Sequence, residues 1–141
     1  MKQRFLKIGR WKVDFLFFKR RYNKKKVLSM LEDMGASEDA LFMTEDLIDS
    51  RLPNTGFTCS NIKTRKALVV IGPTTSGAEF LDTFTHELHH LAVAIADSLG
   101  VDLEGETPAY ISGDTARDLI DIVCKLGCGC YSGEYAEMRR M

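Results

Sequence analysis

The chain has 141 residues and a mass of 15.9 kDa, with 45% hydrophobic and 28% charged residues, which suits one domain spanning 1–141 with a real core. Its charge-free runs are too short to cross a bilayer, and the apolar stretch Phe15–Phe18 is too short for a signal-peptide core, so a cytoplasmic protein without a membrane anchor is expected. The net charge of −1 conceals a polarised chain: residues 1–26 hold eleven Lys/Arg and one acid, Asp14, against eight basic and nineteen acidic residues in the remaining 115.

In chain order, Lys12–Phe18 alternates with a two-residue period and predicts a strand. Asn23 is placed to cap a helix whose apolar positions Val27, Met30, Leu31 and Met34 keep helical spacing, and Gly35 ends it. Ser37 opens a second helix, with Leu41, Phe42, Leu47 and Ile48 as its expected buried side. After the loop Leu52–Gly56, the runs Gly56–Asn61 and Ala67–Ile71 predict a hairpin. Ser76-Gly77-Ala78-Glu79 is a capping box for a long helix to Leu99, with Leu81, Phe84, Leu88, Leu91, Ile95 and Leu99 as its apolar stripe. A last helix over about Gly105–Leu126, with Pro108 in its first turn, completes an α+β domain.

All three histidines fall in His86-Glu87-Leu88-His89-His90, which contains His-Glu-x-x-His on the capped helix. His86 and His90 stand one turn apart on the same face, where two imidazoles can share a zinc ion. Glu87 lies about 100° round the helix, placed to exchange a proton with a metal-bound water without occupying the metal. The stripe is centred nearly opposite the His86/His90 direction, so the helix packs on the core while the imidazoles look out. A catalytic zinc usually takes three protein ligands, and the acids beyond Gly100 are Asp102, Glu104 and Glu106. Glu106 is preferred because a helix starting near Gly105 holds it rigidly; Glu104 reads as a solvated cap, and Asp102 and Asp114 stay open. Tyr110, one turn beyond Glu106, is a candidate donor to a developing oxyanion. His89, out of phase with the pair, reads as a surface residue, and Asp114 is a candidate to orient a ligand imidazole.

Two other features carry a bland and a sharp reading. Four cysteines, three of them at Cys124, Cys128 and Cys130, read as reduced thiols rather than disulfides. With Cys59 they form a second, structural zinc site only through a spacing unlike the usual paired knuckles. The basic residues 2–26, with Trp11 and Tyr22 interleaved, read first as a solvated face and second as an accessory contact to nucleic acid.

The stretch Gly56–Asp114 resembles the short zinc metallopeptidase-like proteins of bacterial mobile elements and phages. The resemblance lies in Thr55-Gly56-Phe57-Thr58-Cys59-Ser60-Asn61, Val69-Val70-Ile71-Gly72, the histidine motif and Gly105-Glu106-x-x-Ala109-Tyr110. More broadly the chain is similar to minimal gluzincins. That resemblance implies a small zincin-like fold with its metal-site core in 56–127, and zinc held by His86, His90 and Glu106 with Glu87 as general base. It also implies hydrolysis of a peptide or protein substrate, with a non-catalytic zinc scaffold serving regulation as the alternative. Tyr110 stands where larger gluzincins often place an acidic residue.

Overall fold

The computed structural model describes residues 1–127. Nine elements follow one another: β1 (Lys2–Ile8), β2 (Trp11–Phe17), α1 (Lys24–Asp33), α2 (Glu38–Asp49), β3 (Gly56–Asn61), β4 (Lys66–Ile71), α3 (Gly77–Ser98), α4 (Glu106–Asp118) and α5 (Ile120–Gly127). The four strands form one mixed sheet in the order β1-β2-β4-β3, so the architecture is α+β as expected. The two outer pairs are antiparallel and the central pair β2–β4 is parallel, with Lys12 opposite Lys66 and Phe17 opposite Ile71. A parallel pair requires a crossover, here made by α1, α2 and β3.

Helices cover both faces, and the central strands are accordingly apolar on both sides. Trp11, Val13, Phe15 and Phe17 of β2 join Ala67, Val69 and Ile71 of β4 in a core with Phe80, Phe84, Leu88, Leu91 and Ile95 of α3. The alternate residues Leu16, Leu68 and Val70 face Val27 and Leu31 of α1 and Ile48 of α2. A one-residue shift in register would exchange these two sets, so apolar burial on both faces holds the pairing.

Four details depart from the sequence expectations. Strand β1 lies within the basic head, where Lys2, Arg4 and Lys7 disguise an alternation that turns Arg4, Leu6 and Ile8 inward. It closes onto β2 through a two-residue turn at Gly9, whose positive φ suits a hairpin. On α2, Phe42 is 74% exposed and Thr44 takes the buried place instead. On α3, Leu81 and Leu99 are exposed at the two ends of the expected stripe, while Phe80, Ala92 and Ala96 are buried. The last helix breaks at Leu119 into α4 and α5, a bend that leaves both Leu119 and Ile122 in the core.

Candidate functional site

Helix α3 begins where its capping box requires: the Ser76 hydroxyl accepts from the Glu79 backbone N–H at 3.1 Å. It ends at Leu99, followed by Gly100 at φ +69°. At 100° per residue its buried arc runs from Thr83 and Glu87 on one side, through Phe84 and Leu91, to Ala92 and Ala96 on the other. His86, His89 and His90 occupy the remaining, solvent-facing arc. The periodicity therefore sets the direction of the imidazoles, as the sequence implied.

The Nε2 atoms of His86 and His90 approach to 3.2 Å, with the rings nearly perpendicular and their centroids 4.8 Å apart. Two nitrogens bound tetrahedrally at the usual zinc distance of 2.0–2.1 Å stand about 3.3 Å apart. The pair thus has the bite of a zinc ion, and as free bases one ring N–H donates to the other ring. His89 is exposed, its ring tilted against that of His90 with centroids 6.3 Å apart.

Glu87 is 5% exposed. Its neighbour across the gap is the edge strand β3, where Thr58 Oγ1 lies 3.0 Å from the carboxylate Oε1 and 3.1 Å from the Glu87 main-chain oxygen. The Thr58 hydroxyl donates to both positions in turn. Gly56 makes this approach possible, because a Cβ there would stand 2.7 Å from the Val70 carbonyl oxygen and 3.1 Å from both Glu87 Cγ and Thr83 Cγ2. Nearby, Tyr22 bonds Thr55 at its hydroxyl and its main-chain oxygen. Burial pushes the Tyr22 phenol above its ordinary value, the Thr55 bond works against that, and the charge of Glu87 adds to it. Tyr22 therefore stays a neutral donor.

Gly56 and Thr58 stood in the stretch that carries the resemblance but had no role assigned to them, and Thr83 escaped the sequence reading. Their signal was the small and polar side of β3, Gly56, Thr58 and Ser60, alternating with the apolar Phe57 and Cys59. Such a side needs a polar partner across from it, and Glu87 is that partner.

The other expected residues are not gathered to the pair. Glu106 opens α4 beside Gly105, as expected, and is exposed there. Thr107 and Ile111 share a cleft with Ile95, Ser98 and Leu99, so α4 runs back along α3 and Glu106 enters near its last turn. That level is about 13 Å along the α3 axis from His90. The same turn holds Asp102, whose carboxylate accepts from the Glu104 backbone N–H. Tyr110 is 66% exposed, and Asp114 lies 3.6 Å from Arg117 rather than on an imidazole. Among the described residues no group of three or more His, Cys, Asp or Glu is arranged to hold a metal ion.

Cys59 belongs to the α1–α2 side of the sheet and is half-buried, with its thiol pushed up by burial. Cys124 is exposed on α5, across the sheet from it. Cys128 and Cys130 lie outside the described residues. No helix of the described residues is long and apolar enough to cross a membrane. Comparison with family models, with curated proteins and with solved structures finds no match for this chain.

Proposed function

We propose that the chain is a zincin-like, zinc-dependent peptidase in which His86 and His90 hold the metal and Glu87 moves the proton. The observation that carries the reading is the 3.2 Å approach of the two Nε2 atoms, one residue away from a carboxylate seated against an edge strand. Zinc bound there supplies an acidified water and a Lewis acid for the scissile carbonyl. The chain's own residues do the rest. Thr58 holds the Glu87 carboxylate in one orientation, and that carboxylate accepts a proton from water and returns it to the leaving amine. The outer edge of β3, which has β4 on one side only, offers its main chain to an extended peptide. Glu106 as third ligand and Tyr110 as oxyanion donor are proposed from α4, and they take those parts only if α4 slides along α3 toward His90 when zinc binds. Because Glu106 enters far along α3, its part is tested separately from that of the histidines.

The test is a zinc competition titration with full-length protein, followed by peptide cleavage. His90→Ala should abolish stoichiometric zinc binding, and Cys124→Ala should leave it intact. Glu106→Gln should weaken zinc at least tenfold, since an amide is a far poorer ligand than a carboxylate. Zinc retained by His90→Ala overturns the site. Zinc affinity unchanged in Glu106→Gln leaves a two-histidine site and removes Glu106. With zinc bound, Glu87→Gln should cost two to four orders of magnitude in cleavage rate, about 3–5 kcal/mol of barrier.

A second reading is carried by the burial of Glu87 and its bond to Thr58, which also tie α3 to β3 as structure. On that reading the chain is a zinc-bearing interaction module without turnover. Cleavage by wild-type protein that disappears in Glu87→Gln decides for the peptidase.

A further inference from the structure

Three clefts run into one another at the carboxyl end of the parallel pair β2–β4, away from the histidines. The first, about 350 Å³, lies under the loop 72–77, with Lys2, Lys19 and Lys125 on its walls above Phe17, Ile71 and Phe80. It shares Phe18 and Lys19 with a second, formed by the segment Lys19–Lys24. That one shares Arg20, Arg21, Tyr22 and Lys24 with a third, closed by Arg51, Pro53 and Pro73. The three clefts lie next to one another, each sharing wall residues with the next.

Their charge is one-sided. The first two clefts have no carboxylate on their walls, and the third has only Asp49, which holds Lys24 at 3.0 Å. Among the described residues Lys2, Lys19, Arg20, Arg21, Arg51 and Lys125 make no ion pair. Other cations are placed differently: Arg4 is held 2.9 Å from Asp121, and Lys12 and Lys66 share their cleft with Asp14 and Asp33. A chain of net charge −1 thus gathers along one concave path six cations that have no ion pair among the described residues.

From this path we infer a binding groove for single-stranded nucleic acid. A strand of linked phosphates matches a row of cations, and a recessed channel suits a flexible single strand that tracks through it. A duplex is read by elements that protrude into its grooves, whereas these cations line hollows. An anionic membrane calls for a projecting apolar surface, whereas Phe17, Phe18, Ile71 and Phe80 form the buried floor here. The cations contact phosphates, so the groove takes strands with little regard to sequence.

The experiment is fluorescence anisotropy of an end-labelled, mixed-sequence 20-nucleotide DNA single strand with the full chain at about 50 mM salt. A duplex of the same sequence and vesicles of anionic phospholipid are the comparison ligands. The expected result is single-strand binding with Kd in the range of about 10⁻⁶–10⁻⁴ M, tighter than to duplex and weakening as salt rises. Lys19→Glu combined with Arg20→Glu and Arg21→Glu should weaken it at least tenfold. The slope of log K against log salt should become shallower by about 2, the loss of three phosphate contacts. Arg10→Glu combined with Lys66→Glu, at the other end of the sheet, should change little. The proposal is overturned by absent single-strand binding, by equal losses in the two sets of variants, or by preference for duplex or vesicles. Circular dichroism of the variants checks that these exposed substitutions leave the fold intact.

Discussion

The two faces of the sheet are built differently. On the α1–α2 side, Leu16, Val27, Leu31, Leu68 and Val70 meet in an apolar core with no charged side chain buried in it. On the α3 side the same strands meet a helix that also buries Thr83 and Glu87, and Glu87 is the one charged side chain buried among the described residues. A buried carboxylate destabilises a fold unless hydrogen bonds hold it, so one layer is optimised for packing and the other admits a cost. That cost falls beside the imidazole pair. Packing anchors the face, and the polar site sits at the margin of the packing, against the edge strand β3.

The comparison can be broken most sharply in the cores. Phe84→Ala on the α3 side should cost about 3–5 kcal/mol, and Leu31→Ala on the other side about 2–5 kcal/mol, both read from urea unfolding. A loss below about 1 kcal/mol at Phe84 would show that the α3 layer is not anchored by its apolar arc.

The polar margin is probed next. Thr58→Val leaves the Glu87 carboxylate without its donor and should cost about 1–3 kcal/mol, while Thr58→Ser should restore most of that. Equal stability of Thr58→Val and wild type would mean that solvent satisfies Glu87. Gly56→Ala should cost a similar 1–3 kcal/mol, because its new methyl meets the Val70 carbonyl, Glu87 and Thr83 together.

Helix caps should be indifferent to the difference between the layers. Ser76→Ala at the start of α3 and Asn23→Ala at the start of α1 each remove one bond to a backbone N–H, and each should cost about 1 kcal/mol. A much larger loss at Ser76 would tie the cap to the site.

The smallest effect concerns the contact of β1 with α5. The Arg4 guanidinium holds the Asp121 carboxyl below its ordinary value. A carboxyl lowered in the folded state stabilises above the ordinary Asp range, near pH 4, and that stabilisation is lost as pH falls through the lowered value. Arg4→Ala should therefore melt slightly earlier than wild type at about pH 6, and the gap should close on acidification. A gap that widens in acid would reverse the assignment. Asp121 is exposed and Arg4 partly so, and solvent screening keeps the effect small.

Local patterns carried much of this architecture. The caps Asn23, Ser37 and Ser76 bond the backbone groups that their positions foretell, and the hairpin pairs Gly56 with Ile71. The direction of His86 and His90 followed from 3.6-residue periodicity alone, because the two share one helix at a spacing of four and need no partner element to face the same way. Other features depended on elements distant in sequence. Strand β1 is a strand because β2 offers it a partner, and Glu87 is buried because Gly56 lets β3 approach. The break at Leu119 comes where the chain keeps both Leu119 and Ile122 in the core. The level of Glu106 along α3 is likewise a matter of how two helices cross, which no spacing within either helix encodes. Periodicity orients side chains about one axis, while distances between axes arise only when the layers close on a common core.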